Sequence, residues 1–452
     1  MQIIICGGGE VGSAICEALY QTADIVIVDP NEHIIDEIAG QYDVQGIVGS
    51  AASVRILQEA GIATADVFIA VTNSDEKNII SSIIAQNFGV KHVYGRVRDP
   101  EYMEDIQFMQ SAIGVNRIVN PEHDAAVVID QILRYPFANS IEAFANGRMH
   151  IVGLTITPES AAANCKIMDF RNYLDGDILI CAIERGDEVY IPDGDFVMQA
   201  GDRIHVLSEQ NRLKILYNRL RTKQVTIKKV LIIDGGTLTH YLLEELKQRH
   251  LEITVIEQDY KTALQLAISY PEIEVIHGDG SDQRVLEEEH IKNYDAVVSL
   301  NRSDHENMVT SLFAMHQGVP KVITKLDRPY LLRPLANLGL DTIITPKQLV
   351  ADKIIQLTRS LKATENSAVN NLYMLIEGQL EALEFEVLNE CLITQNTLRD
   401  LMLEDQTLII GILRQDEFIV PTGDTQIKPG DFVYVVTKQH EVTDINQLVV
   451  KS

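Results

Sequence analysis

The chain has 452 residues, with 38 Lys and Arg against 65 Asp and Glu, a formal net charge of −27 and 46% hydrophobic residues. Such an excess of negative charge opposes binding to nucleic acid and direct adsorption to anionic lipid, so any association with a membrane has to run through a protein partner. The apolar content supports real cores in roughly three or four domains, while no stretch reaches the ~20 apolar residues that span a bilayer. Cys6, Cys16, Cys165, Cys181 and Cys391 form no C-x-x-C pair and read as reduced thiols. With a core strand in place of a basic leader at the N-terminus, the expected location is the cytoplasm.

The first expected element is a buried strand, Gln2 to Cys6. It runs into Gly7-Gly8-Gly9-Glu10-Val11-Gly12, a G-x-G-x-x-G turn, and a helix is expected from Ser13 to Tyr20. In such a turn the first glycine allows the tight bend, the second lets a pyrophosphate approach the backbone, and the third lets helix pack on strand. The free N–H groups at the helix start then face the phosphates. A second strand, Ile25 to Val28, ends in Asp29, whose carboxylate suits ribose hydroxyls and repels a 2′-phosphate. The pattern points to an NAD(H)-type or adenine-nucleotide cleft and disfavours NADP.

The alternation continues with helix Glu32 to Gly40, strand Val44 to Val48, the turn Gly49-Ser50-Ala51, helix Val54 to Ala60 and strand Asp66 to Val71. A loop from Thr72 to Asn78 precedes helix Ile79 to Phe88, strand His92 to Val97, helix Glu101 to Ile113, strand Arg117 to Val119 and a helix from Pro121 to Arg134. The fold class is α/β, a doubly wound parallel sheet. Ligands in such sheets sit outside the carboxyl ends of the strands, which gathers the glycine loop, Asp29, Ser50, Thr72, Asn73, Arg96 and Arg98 around one crevice. Asp75 and Glu76 read as the cap of the helix that follows. From about Ile141 the texture changes to short strands with Gly-Asp turns (Asp175-Gly176, Gly194-Asp195, Gly201-Asp202), a small α+β module closed by helix Gln210 to Lys223.

The chain then starts again. Asn307 lies 229 residues after Asn78, and Gly423-Asp424 and Gly430-Asp431 stand at the same interval from Gly194-Asp195 and Gly201-Asp202. A repeat that holds register over such distances is a tandem duplication. The expected domains are 1–134 and 228–359, both Rossmann-like, followed by small modules at 135–223 and 360–452. The second glycine loop is altered: Gly7 becomes Asp234 and Gly12 becomes Thr239, while Gly236 keeps the place of Gly9. Glu257 stands where Asp29 does and Asp279 follows the counterpart of Gly49, so a ribose or adenine pocket is the most that is expected there. The histidines are scattered without H-x-H or H-x-x-x-H spacing, so no metal site is expected.

A dehydrogenase would pair the cleft with a sizeable domain carrying acid–base groups; modules of ~80 residues, duplicated along with the cleft, suit a ligand-sensing switch better. No catalytic residues are expected. The chain resembles the TrkA family of tandem RCK (KTN) regulatory subunits in Gly7 to Gly12 with Asp29, in Ala70-Val71-Thr72-Asn73-Ser74-Asp75-Glu76-Lys77-Asn78, and in Gly95-Arg96-Val97-Arg98-Asp99-Pro100-Glu101-Tyr102. The resemblance implies a protein at the cytoplasmic face of the membrane that binds NAD(H), with ATP or ADP in some members. It also implies a homo-oligomeric, tetrameric ring beneath a polytopic Trk-type potassium-translocating subunit. Carried over, Gly7, Gly8, Gly9, Glu10 and Val11 would contact pyrophosphate, Asp29 the ribose, Thr72 and Asn73 the nicotinamide or phosphate side, and Arg98 or Arg96 would be the cationic contact. Some relatives carry arginine at the position of Glu10 for the terminal phosphate of ATP, so Glu10 favours NAD(H) here.

Overall fold

The computed structural model describes residues 1–103, 108, 110, 115–144, 148–173, 178–186, 188–209, 212, 226–328, 338–340, 342–359, 361, 366–376, 379–439 and 442–450. Its chain forms two compact units: Met1–Arg134 with Thr226–Ile355, and Tyr135–Val225 with Gln356–Ser452. Like segments of the duplication therefore fold together, although each is separated from its partner by a segment of the other kind.

In the first unit, strands β1 (Gln2–Cys6), β2 (Asp24–Asp29), β3 (Gln45–Val48), β4 (Val67–Ala70), β5 (His92–Arg96) and β6 (Arg117–Val119) form a parallel sheet in the order β3-β2-β1-β4-β5-β6. Ile3, Ile4 and Ile5 of β1 and all of β4 are buried, as central strands covered by helices on both faces must be. The edge strand β3 buries one residue, Ile47. The order reverses between β1 and β4, which opens the crevice that ligands use in such sheets.

After the first small module, described below, β12 (Lys229–Ile233), β13 (Glu252–Glu257), β14 (Glu274–His277), β15 (Ala296–Ser299), β16 (Lys321–Lys325) and β17 (Ile343–Ile344) repeat the parallel sheet and its order. Its own core gathers Leu231, Ile233, Ile256 and Val297. The two halves of this unit are joined through helices. Helix Pro121–Arg134 of the first lies against helix Thr237–Leu246 of the second, where Arg249 Nη1 pairs with Asp130 Oδ1 at 3.0 Å. Lys353 Nζ of helix Pro346–Arg359 reaches Asp124 Oδ2 at 2.9 Å.

The second unit holds two antiparallel sheets. One has β7 (Ser140–Phe144), β8 (Met149–Thr155), β9 (Leu179–Arg185), β10 (Glu188–Tyr190) and β11 (Arg203–Glu209) in the order β10-β9-β11-β8-β7. The other has β18 (Ser367–Leu375), β19 (Leu380–Val387), β20 (Thr407–Arg414), β21 (Glu417–Ile419) and β22 (Phe432–Thr437) in the order β18-β19-β22-β20-β21. One core runs through both sheets, joining Phe144, Met149 and Ile151 to Leu380, Ala382 and Val436. Each repeat also carries the same fork: Arg185 on Asp202 at 2.7 Å and Arg414 on Asp431 at 2.6 Å. The recurring Gly-Asp turns at Asp202 and Asp431 are thus anchors for an arginine that staples the sheet to its following loop.

Two expectations shift in detail. The helix after Thr72 starts at Asp75, four residues earlier than expected, because Ser74 caps it by accepting from Lys77 N–H. Asp75, buried in the first turn, accepts instead from the backbone N–H of Arg98 (2.7 Å) and Asp99 (2.9 Å), so it ties loop to loop. The helix expected over Glu101–Ile113 is described as Pro100–Met103, and most of its remainder, the turn at Asp175-Gly176 and nearly all of the helix expected over Gln210–Lys223 lie outside the described residues.

Candidate functional site

The first glycine loop shows why each glycine is there. Gly7 has φ +109°, and a Cβ on it would stand 2.8 Å from Thr72 N. A Cβ on Gly12 would fall 1.9 Å from Gly7 O, so this position sets how closely helix Glu10–Leu19 approaches the turn. Gly9 differs: a Cβ there meets no atom within 4 Å. Nothing in the protein's own packing demands that glycine, and the room beside it is where a bulky anion would approach. The helix begins at Glu10, directly after Gly9, which aims its unpaired N–H groups at that space.

Asp29 closes the other side of the loop. Its Oδ2 accepts from Gly8 N–H and its Oδ1 from Asn31 N–H, both at 2.9 Å. Across the crevice, Asn78 is fully buried and bonds both Thr72 N–H (2.9 Å) and Arg96 O (2.9 Å), which fixes the ends of β4 and β5 together. Arg96 is also buried; its Nη2 donates to Thr72 O at 2.5 Å, while its Nε has no partner among the described residues. Arg98 Nη2 donates to Asn73 O at 2.8 Å. Burial, then repulsion from Arg98, holds the Arg96 pKa below its usual value, with Glu122 and Asp75 acting against the shift. A buried cation with one unsatisfied donor at the carboxyl ends of the strands fits an anionic or carbonyl-bearing ligand.

The expected site residues thus fall into two groups. Gly8, Gly9 and Glu10 border a cleft of about 420 Å³ that runs between helices Glu10–Leu19 and Glu32–Gln41 past Ile34 and Ile38. Thr72, Asn73, Arg96 and Arg98 sit together at the ends of β4 and β5 and do not line that cleft. Val11 and Gly12 are buried in the first turn of helix Glu10–Leu19, whereas Ser50 is exposed and its Oγ accepts from Ala52 N–H at 3.3 Å.

Residues from the second half also border the cleft: Asp327, Lys347 and Gln348. Lys347 Nζ lies 2.6 Å from Glu10 Oε2. Tyr241, on the second half's own glycine-loop helix, donates its hydroxyl to Arg98 O at 2.9 Å and accepts from Asn120 Nδ2 at 3.0 Å. These contacts are missed by reading each half alone. The signal that could have found Lys347 is a charge reversal between repeats: Pro121-Glu122 opens one helix and Pro346-Lys347 its counterpart.

The second glycine loop is filled by the chain itself. Asp234, with φ 86°, turns its Oδ2 onto Gly236 N–H at 2.8 Å. Glu257 Oε2 accepts from Gly235 N–H at 2.5 Å, and Thr239 Oγ1 donates to Asp234 O at 2.7 Å. Burial, then the Glu257 carboxylate, pushes the Asp234 pKa up against the hydrogen bond from Gly236. Asp279 is exposed and accepts from Ser281 N–H at 2.9 Å. Among the described residues no group of three or more His, Cys, Asp and Glu is placed to hold a metal ion, and no helix is long and apolar enough to cross a membrane.

A duplicated, doubly wound protein with one open glycine loop, a carboxylate at the end of its second strand and a small β-rich module after each sheet is of the tandem Rossmann-like class. The model of the TrkA-N domain matches residues 3–121 and 230–346, and that of the TrkA-C domain matches 151–221 and 382–449. The chain belongs to the TrkA family. It is 28% identical over 451 residues to the Trk system potassium uptake protein TrkA homolog of Archaeoglobus fulgidus, covering 99% of this chain and 100% of that one. It is 27% identical to the Trk system potassium uptake protein TrkA of Haemophilus influenzae, covering 99% and 98%. Among solved structures it resembles the GsuK RCK domain, with TM-score 0.62 at 15% identity over 96% of this chain and 92% of that one. It also resembles the GsuK channel bound to NAD, with TM-score 0.61 at 15% identity over 96% and 76%. At that identity the likeness is one of fold: tandem RCK domains.

Proposed function

We propose that the chain is the nucleotide-binding regulatory subunit of a Trk-type potassium uptake system, not an enzyme, and that its first glycine loop is the sensing site. The observation that carries the site is the open side of Gly9, flanked by a helix N-terminus and by Asp29. Gly8, Gly9, Glu10 and Val11 hold a pyrophosphate through backbone N–H groups, Gly7 and Gly12 shape the turn, and Asp29 takes the adenosine ribose. Ser50 stands at the adenosine end. Thr72, Asn73, Arg96 and Arg98, grouped outside the cleft that Gly8 and Gly9 border, at the ends of β4 and β5, are the second cluster, where Arg96 offers its unsatisfied Nε to a nicotinamide or phosphate group. NAD(H) is the preferred ligand, with ATP or ADP as alternatives that use the same adenosine end. In the second half Glu257 and Asp279 are the groups left for a ribose or adenine, and Asp234 competes with any phosphate.

The subunit acts from the cytoplasmic side as part of a homo-oligomeric, tetrameric ring docked on a polytopic potassium-translocating partner. Ligand in the first cleft shifts the ring between two geometries only by its difference in affinity for them, typically about 1–3 kcal/mol. The small modules spend their apolar faces on a core shared with each other, which favours a switch over the alternative of a soluble NAD-dependent dehydrogenase. The test is purification of the tagged chain from native membranes in mild detergent, with and without NADH. Recovery of a polytopic potassium transporter, changed by NADH or ATP, is the expected result; a clean oligomer without a membrane protein returns the dehydrogenase to first place.

A further inference from the structure

We infer that Lys347, carried by the second doubly wound half, is a ligand-binding residue of the first half's glycine loop. The inference rests on the nucleotide reading above and adds to it the source of positive charge at the phosphates. Helix Glu10–Leu19 offers its N-terminus to a diphosphate, yet its first residue is itself an acid. A carboxylate there competes for the same N–H groups and repels the ligand. Lys347 Nζ lies 2.6 Å from Glu10 Oε2 and 3.2 Å from Asp327 Oδ2, on the wall of the cleft that Gly8 and Gly9 also border. Its ammonium therefore cancels the charge of Glu10 at the place where the diphosphate enters.

The pair is built to exchange partners. The Glu10 side chain is 47% exposed, so water can take over its solvation when Lys347 leaves it. Asp327 is only 23% exposed and is steadied by Lys325 at 3.6 Å, so it keeps Lys347 in reach of the loop. An ammonium has three donors, enough to hold Asp327 and a phosphate oxygen together. Burial lowers the Lys347 pKa, and Glu10 and Asp327 more than offset it, so the charge is kept. The corresponding residue of the first half is Glu122, which leaves this cation on the side of the open loop and not of the loop that Asp234 fills. Occupancy of the first cleft is thereby felt directly by the second half, without a relay through the small modules.

The test is titration of the full-length chain with NADH by fluorescence and with ADP by calorimetry, for wild type, Lys347→Gln, Lys347→Arg, Glu10→Gln and the double Gln variant. Lys347→Gln weakens both ligands about tenfold, the loss of one charge-assisted hydrogen bond. Lys347→Arg retains binding, and Glu10→Gln tightens it, because Lys347 then has one partner fewer and the loop one repulsive charge fewer. Glu10→Gln leaves the Lys347–Asp327 pair intact, so this arm holds even where Lys347→Gln loosens the join between halves. Unchanged affinity in Lys347→Gln overturns the inference. So does equal weakening by Lys347→Gln and Glu10→Gln with no further loss in the double variant, since the pair is then a staple between the halves. A wild-type chain that binds neither NADH nor ADP removes the nucleotide reading itself, and this inference with it.

Discussion

The two glycine loops started from one sequence and now solve different problems. At the first, Gly9 faces free space and precedes helix Glu10–Leu19 as an N-cap without a side-chain hydrogen bond. At the second, a Cβ on Gly236 would meet Asp234 Oδ2 at 2.8 Å: the chain's own carboxylate stands where the first loop has room. The join between turn and helix has changed as well. Gly12 achieves it by close approach, whereas Thr239 achieves it through a hydroxyl bonded to Asp234 O at 2.7 Å. The lesson is that a glycine loop can keep its shape after losing two glycines, with an internal carboxylate filling its open side and a hydrogen bond replacing the close approach.

Substitutions at the paired positions break or sharpen that comparison. The largest effect is expected at Gly12. With Gly7 O only 1.9 Å from where a Cβ would stand, Gly12→Val destabilises the first half by about 3 kcal/mol or more, read by urea denaturation. Gly9→Val sets its Cβ in open space, so the stability cost is that of Val at a helix N-cap, about 1 kcal/mol, while NADH affinity falls about a hundredfold, or about 2.7 kcal/mol. Loss of stability in place of affinity would show that the loop is structural.

A third effect concerns pH. Asp352, on helix Pro346–Arg359, has its pKa pushed up to about 6 by burial, against a hydrogen bond from Gln348. In the folded chain it holds its proton more tightly than in the unfolded one, so it costs stability as pH rises from about 4 to 6 and a constant amount above that. Asp352→Asn therefore stabilises the chain at pH 7 by about 2 kcal/mol, and by little at pH 4; equal melting shifts at both pH values would contradict this. Asp29→Ala is expected to weaken NADH about tenfold through the lost ribose contacts, and to lower the melting temperature by a few degrees because Gly8 and Asn31 N–H lose their acceptor. The smallest change is Asp234→Gly, which removes a non-glycine residue at φ 86° and stabilises the second half by about 1 kcal/mol.

Much of this was legible in the sequence, for a local reason. Strands such as Gln2–Cys6, the turn that follows and Asp29 are each set by neighbours within about 30 residues along the chain, so pattern and spacing reveal them. The duplication was legible because Asn78 and Asn307 perform the same task, each buried and each bonded to the carbonyls that end two adjacent strands. What stayed hidden depends on how the halves meet. Lys347 and Glu10 are 337 positions apart, and no periodicity within either half announces that one helix start will face the other. The role of Asp75 was hidden for a related reason: its partners, Arg98 and Asp99, lie on another loop, so in sequence it resembles an ordinary acid in the first turn of a helix.

The order of segments along the chain also dictates the order in which it can be made. Met1–Arg134 completes its unit with Thr226–Ile355, and the small module after it shares a core with the one that begins at Gln356. During synthesis the apolar face built by Phe144, Met149 and Ile151 leaves the ribosome more than two hundred residues before Leu380 and Ala382 can cover it. The first half must therefore wait, partly assembled and with that face uncovered, until the last quarter of the polypeptide emerges, which makes the nascent chain a natural client for chaperones and gives a stalled or truncated product a strong tendency to aggregate.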